Sequence, residues 1–340
     1  MNDTMDVVVC LEPGKLQLER RPVPEPKPGE VLVRVRRVGV CGTDMHIYRG
    51  VQPYLSYPRV MGHELSGEVV TAPADSGFSS GDPVYVVPYF SCGNCSACRA
   101  DRTNCCKSLT VLGVHRDGAL AQFVSVPRRF VFSARGISLD QAAMIEFLAI
   151  GAHAVRRAGV KPGQRVLVSG SGPIGLACAL FAQLHGGAIS VIDSRAERLD
   201  VCRHALGIPH VFELADDLPA RLATFTADEM FDVVFDATGN SQAMEAGFRY
   251  IAHAGTYVLV SVVSADISFS DPEFHKREAT LMGSRNATAE DFEHVLDTMR
   301  SGKIPTAAFQ THRARLQELP TMLAQWIKPE SRVIKVLVDC

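Results

Sequence analysis

The feature that most constrains the fold is the run Gly170-Ser171-Gly172-Pro173-Ile174-Gly175, set between the apolar segment RVLVS and the apolar segment PIGLACALFAQL. A glycine fingerprint of this kind is weak evidence alone. It becomes strong when a strand feeds it and a helix leaves it, because each glycine then has a task. Gly170 allows the tight turn, Gly172 lets the backbone approach a pyrophosphate, and Gly175 lets helix and sheet pack closely. Pro173 and Ile174 open the helix, whose first N–H groups face the phosphates. Asp193 ends the next strand-like segment, AISVID, where a carboxylate can accept both hydroxyls of an adenosine ribose. A 2′-phosphate would meet a like charge there, so NAD is expected over NADP. Arg195 and Arg198 stand beside it as cations that pull the other way.

Around this fingerprint the chain alternates strand and helix. SRAERLDVCRHAL reads as a helix, FDVVFDATG as a strand, SQAMEAGFRYIA as a helix and TYVLVSV as a strand. Such alternation marks a parallel sheet with helices on both faces. Ahead of it lies a different texture. EVLVRVRRVGV alternates Val31, Val33 and Val35 with charged residues, and LSGEVV and PVYVVPYF follow between turn residues. This pattern predicts a small β-barrel or sandwich with long loops. LDQAAMIEFLAIGAHAVRRAG reads as a helix joining the two regions, TAEDFEHVLDTMRSG as a later helix and RVIKVLVD as a terminal strand. With 340 residues, two domains are expected, the texture changing near residue 140.

Cysteines supply the next constraint. Cys92, Cys95, Cys98 and Cys106 sit in SCGNCSACRADRTNCC, with Cys105 left over. Four thiolates so spaced suit a closed structural zinc, with an iron–sulfur cluster as the other thiolate option. A closed site clamps a polar loop and leaves no position for substrate. Cys41 in VCGTDMH, His63 and Glu64 in VMGHE, and Glu146 in MIEF form a second group. Cysteine, histidine and carboxylate make a valid zinc set, and three protein ligands leave one position open. No basic n-region with an apolar core opens the chain, and no apolar run of about 18 residues occurs, so neither export nor membrane insertion is expected. The formal net charge of -2 with scattered cations argues against a nucleic-acid surface. Zinc thiolates fit the reducing cytoplasm.

Together CGTDMH, GHE, the four-cysteine lobe and the glycine fingerprint, in that order, resemble the zinc-containing medium-chain dehydrogenase/reductase family, in its polyol and threonine dehydrogenase branch. The resemblance spans the whole chain. It implies a GroES-like β-barrel catalytic domain at 1–148 completed by the C-terminal tail at 286–340, a Rossmann-fold NAD-binding domain at 149–285, and a homo-oligomer, tetramer or dimer. It also implies a catalytic zinc on Cys41, His63 and Glu146, with Glu64 able to exchange onto the metal or hold its water. Phe147 stands where the family usually has proline. Thr43 and His46 are implied as a proton relay.

The segments YPRVMGHE, VLGVHRDGALAQF and FSDPEFHKREATLMGSRNAT resemble bacterial sugar-acid dehydrogenases of this family. They imply oxidation of the C5 secondary hydroxyl of L-galactonate or L-gulonate to a keto acid. A carboxylate substrate asks for cations and amides, for which Arg285, Asn286, His115, Arg116 and Arg59 are the expected contacts. Phe274, His275 and Lys276 are expected in a subunit or domain contact. The alternatives are a neutral polyol, diol or L-threonine substrate, or a non-catalytic nucleotide-binding relative.

Overall fold

The computed structural model describes residues 3–52 and 55–340. It divides into two compact units, residues 1–146 with 288–340, and residues 147–287. The divisions fall close to the expected 148/149 and 285/286. The shift leaves Glu146 with Cys41 and His63, as expected, but moves the fully buried Phe147 and Leu148, and also Asn286 and Ala287, into the second unit.

The first unit is built on β-sheet. Its central strand, Glu30–Val40, pairs antiparallel with Glu64–Thr71, with Phe123–Pro127 and with the terminal strand Lys335–Asp339. Val31, Val33 and Val35 are fully buried, as their alternation requires, and the neighbouring Leu32 is buried too. The terminal strand pairs Val336 with Val40 and Leu337 with Gly39, so the tail completes a sheet begun 300 residues earlier. Strands Thr4–Glu12 and Lys15–Pro22 add a second, smaller sheet. Val7, Val8, Val9, Val38, Leu65, Leu120, Leu323 and Val336 lie in one core cluster that joins these layers. Burying such side chains contributes about 1.5–3 kcal/mol each before chain entropy is counted. Off this core, the short pair Tyr89–Phe90 and Thr110–Val111 brackets the four-cysteine segment.

In the second unit a parallel six-stranded sheet runs in the order His210–Glu213, Ala188–Asp193, Arg165–Ser169, Phe231–Asp236, Ile251–Leu259, Thr280–Gly283. This is the 3-2-1-4-5-6 order of a dinucleotide-binding fold. The glycine turn leaves Arg165–Ser169, the strand at which the order reverses, and runs into the helix Pro173–Leu184. The edge strands His210–Glu213 and Thr280–Gly283 are too short to stand out by alternation. Two helices are also shorter than their sequences suggest. Ser241–Gly247 passes through a single tight turn to Ile251, which already pairs with Phe231. The joining helix is broken into Leu139–Ala142 and Ile145–Ala158. Among the described residues, no helix is long and apolar enough to cross a membrane.

Two glycines of the fingerprint have steric reasons visible in the fold. Gly170 has φ +87°, and a Cβ built on Gly175 would lie 1.7 Å from the Gly170 carbonyl oxygen. Gly175→Ala therefore cannot be accommodated without moving the turn. We expect it to cost about 1–3 kcal/mol, as overpacking does, and to weaken NADH binding at least ~10-fold by loss of the cradle. Thermal melting and NADH fluorescence titration would measure both, and wild-type values in both would contradict the close approach.

Candidate functional site

The four-cysteine lobe is assembled by local turns. Sγ atoms of Cys92, Cys95, Cys98 and Cys106 all lie within 4.8 Å of one another. Cys95 and Cys98 are 3.5 Å apart, and Cys92 and Cys98 are 4.0 Å apart. A tetrahedral zinc with bonds of 2.3 Å puts its sulfurs about 3.8 Å apart, so the cluster has the right size. The Cys98 and Lys107 backbone N–H groups pull the Cys95 thiol down to about 6, toward the thiolate that a metal takes. Cys105 is exposed and is not part of the group. These residues fit a closed structural zinc.

The second cluster, buried at His63 and Glu64 and half-buried at Cys41, lies within the first unit. Cys41 caps the helix Gly42–Arg49, whose third residue, Asp44, accepts the Cys41 backbone N–H at 2.9 Å. The other Asp44 oxygen accepts the Gly62 N–H at 3.1 Å. Asp44 thus ties the turn bearing Cys41 to the turn bearing His63. It is 1% exposed and stands 3.9 Å from His63 Nδ1. Donor atoms of Cys41, His63 and Glu64 lie within 4.8 Å of one another.

Glu64 is the first residue of Glu64–Thr71 and is fully buried over Gly39, where an added Cβ would fall 2.1 Å from its Oε2. Both of its carboxylate oxygens accept from Lys335 Nζ at 2.7 Å. Lys335 also donates to the Val40 carbonyl at 3.3 Å and is 1% exposed. Glu146 sits just outside the close trio. One of its oxygens accepts from the Tyr89 hydroxyl, and the other is buried with no hydrogen-bond partner. The grouping therefore differs from the expected one: Glu64 joins Cys41 and His63, while Glu146 is held beside them on Tyr89.

Electrostatics report the crowding. Burial pushes the Glu146 carboxyl up to about 7; His63 opposes the rise and Glu64 adds to it. His63 is raised well above its ordinary value although burial acts against it, because Asp44, Cys41 and Glu146 favour the imidazolium. Burial likewise disfavours the Lys335 ammonium, but Glu64, Cys41 and Glu146 hold its pKa up. His63 Nδ1 has no hydrogen-bond partner. An orphaned imidazole nitrogen, an orphaned carboxylate oxygen and a thiol gathered among acids fit a divalent zinc.

The remaining expected residues are placed as follows. Thr43 and His46 lie one turn apart on the helix that Cys41 caps, with His46 exposed. Arg59 is engaged rather than free: its Nη1 contacts Asp117 at 3.2 Å, and Asp117 also accepts the Val60 N–H at 3.1 Å. That makes it an anchor of its loop. Arg116 covers the Phe90 ring at 5.0 Å, and His115 Nδ1 accepts the Val111 N–H at 3.1 Å. Arg285 and Asn286 follow the strand Thr280–Gly283 in the second unit. Arg285 is exposed, while Asn286 adopts φ 51° and buries an amide nitrogen without a partner. Phe274 packs its ring on Phe248 and Phe269.

In the coenzyme unit, Asp193 is 7% exposed and accepts from the Ser171 N–H at 2.6 Å, the Ser171 hydroxyl at 2.8 Å and the Arg195 N–H at 2.9 Å. The carboxylate is thereby fixed at the glycine turn. Arg198 Nη1 lies 3.9 Å from it, and Arg198 Nε is buried without a partner. Gly170, Gly172, Pro173, Ile174 and Gly175 form the turn and first helical residues that the fingerprint requires.

Sequence reasoning missed Asp44, Tyr89, Ser171 and Lys335. A lysine inside the apolar strand segment RVIKVLVD was a usable signal, since a central strand buries a charge only with a partner. Lys335→Met should strand the Glu64 carboxylate and cost about 3–5 kcal/mol, the usual penalty for removing one partner of a buried pair. Adding Glu64→Gln should restore part of it. Urea unfolding of both variants tests this, and an unchanged midpoint for Lys335→Met would contradict the pairing.

Residues 27–136 match the alcohol dehydrogenase GroES-like domain, and residues 173–301 match the zinc-binding dehydrogenase family. The chain is 44% identical over 311 residues to L-galactonate-5-dehydrogenase of Escherichia coli (strain K12), covering 91% of this chain and 92% of that protein. It is 33% identical over 321 residues to 2-dehydro-3-deoxy-L-galactonate 5-dehydrogenase of Pseudoalteromonas atlantica, covering 93% of each. Among solved structures, a short chain alcohol dehydrogenase from Escherichia coli CFT073 complexed with cofactor NADH superposes with a TM-score of 0.93 at 28% identity, over 100% of both chains. With both domains in this order and relatives matched nearly end to end, the chain belongs to the zinc-containing medium-chain dehydrogenase/reductase family and is an oxidoreductase of that kind.

Proposed function

We propose that this enzyme oxidises the C5 secondary hydroxyl of a sugar acid, L-galactonate or L-gulonate, to the keto acid with NAD as acceptor. The observation that carries the reading is the 44% identity, over 91% of the chain, to an enzyme that acts at C5 of L-galactonate. A second relative, at 33% identity, also acts at C5 of a sugar acid. The further elements of the reading are a cytoplasmic setting, where the thiolates stay reduced, and a homo-oligomer, tetramer or dimer.

When bound, zinc supplies a Lewis acid that makes an alcohol acidic near neutrality, and NAD supplies the hydride acceptor. Cys41 and His63 hold the metal with a carboxylate from Glu64 or Glu146, and Cys92, Cys95, Cys98 and Cys106 hold the structural ion. Thr43, two residues after Cys41, accepts the hydroxyl proton, and the exposed His46 passes it to solvent. Gly170, Gly172 and Gly175 would admit the pyrophosphate to the helix N-terminus at Pro173, and Asp193 would accept the ribose hydroxyls. Arg285 and Asn286 recognise the substrate's carboxylate and hydroxyls, with Arg116 and His115 as further contacts. Arg59 acts through the loop it anchors.

A substrate panel tests the reading. NAD reduction should be faster, by kcat/KM, with L-galactonate or L-gulonate than with sorbitol, 2R,3R-butanediol or L-threonine. Preference for a neutral polyol would overturn the sugar-acid assignment while leaving the chemistry intact. The two metal groups should separate by variant. Cys41→Ser should abolish turnover with a nearly unchanged melting temperature, whereas Cys95→Ser should lower the melting temperature first, because a structural zinc contributes folding energy. Turnover by purified Cys41→Ser near the wild-type rate would refute the assignment of the catalytic ion.

A further inference from the structure

Besides Asp44, whose two oxygens accept the Cys41 and Gly62 N–H groups, two carboxylates stand at the catalytic cluster, and the protein treats them differently. Glu64 has both oxygens taken by the Lys335 ammonium at 2.7 Å. A cation approaching Glu64 competes with that ammonium and meets its charge. Glu146 has one oxygen tied to the Tyr89 hydroxyl and one, Oε2, buried with no hydrogen-bond partner. A buried carboxylate oxygen left without a partner is expensive, and such exceptions call for an explanation.

Tyr89 is itself rigidly placed. It is 5% exposed, stands opposite Val111 in the short ladder, and meets Phe292 edge-on at 6.0 Å and 74°. Phe292 in turn stacks on Tyr85 at 6.2 Å. Three residues after Tyr89 comes Cys92, the first cysteine of the lobe, and Cys106 precedes the partner strand Thr110–Val111. The lobe's two ends therefore run into the ladder that carries the phenol.

The geometry points to Tyr89 as a positioning residue of the metal site: its hydroxyl holds one Glu146 oxygen and thereby presents Oε2 as the carboxylate donor to zinc beside Cys41 and His63. Lys335 keeps Glu64 as a charge-balancing neighbour. In this arrangement the ladder that the structural lobe closes also sets the third ligand of the catalytic ion. The inference rests on the zinc reading of the preceding subsection.

The test uses the full-length enzyme and reads the metal directly. Tyr89→Phe keeps the ring and its packing and removes only the hydroxyl. Zinc affinity at the catalytic site, measured by competition with a chelator, should fall roughly 10–100-fold, as for other groups that orient a metal ligand. The lobe zinc should be retained. The visible absorption of the cobalt-substituted enzyme should shift, and kcat should fall with KM for NAD unchanged. Glu146→Gln should weaken zinc similarly, and Tyr89→Phe added to Glu146→Gln should cause no further loss.

Wild-type zinc affinity and cobalt spectrum in Tyr89→Phe would overturn the inference. So would an undiminished effect of Tyr89→Phe in the Glu146→Gln background, or wild-type zinc affinity in Glu146→Gln alone. The last measurement decides the matter even where Tyr89→Phe folds poorly. A wild-type enzyme that holds zinc only in the four-cysteine lobe would overturn the zinc reading and this inference together. The substrate panel is blind to Tyr89, so a wrong substrate class leaves the inference standing.

Discussion

The first unit depends on one buried ion pair, Glu64 with Lys335, at 0% and 1% exposure. Neither charge is tenable alone at that depth, since each would lose several kcal/mol of hydration. The pair exists because two strands bring it together: Glu64 opens the strand that pairs with Gly39, and Lys335 opens the terminal strand that pairs with the same segment. Gly39 lacks a side chain where the Glu64 carboxylate lies. Strand register, a glycine and a salt bridge thus enforce one another. Such pairs are weak sources of stability but good selectors of register, because a slip of one residue would bury both charges unpaired.

On this frame the cluster around Cys41 and His63 carries an excess of acidity. Asp44, Glu64, Glu146 and the Cys41 thiol face one lysine and one histidine. Burial first, and Glu64 after it, pushes up the carboxyls of Asp44 and Glu146, while Asp44, Cys41 and Glu146 raise His63 against its own burial. The four-cysteine lobe differs in kind. Its donors are brought together by local turns within a short segment, bracketed by the ladder of Tyr89–Phe90 and Thr110–Val111.

Much of this was legible before any coordinates. The glycine fingerprint with its flanking strand and helix, the four spaced cysteines, and Cys41 with GHE each encode chemistry in local order. What stayed hidden depends on distant residues meeting. Tyr89 and Glu146 are far apart in sequence, and no local pattern marks a tyrosine in PVYVVPYF as a partner for a carboxylate. Lys335 carried a signal in its apolar strand, but not the identity of its partner. Arg59 looked available because Asp117 was not known to face it. The short edge strands at 210–213 and 280–283 escaped because four residues hold too few alternations to be told from loop.

The first unit is discontinuous in sequence, and this shapes how the chain is made. The coenzyme unit is one unbroken stretch, 147–287, and can fold as it leaves the ribosome. The earlier segment must wait through that whole interval with Glu64 lacking its ammonium and Glu30–Val40 lacking one partner strand. An open strand edge and an uncompensated buried acid are both hazards for a nascent chain. A chain cut before Lys335 keeps the whole of 147–287 but lacks the ammonium that pairs with Glu64 and the strand that pairs with Gly39 and Val40.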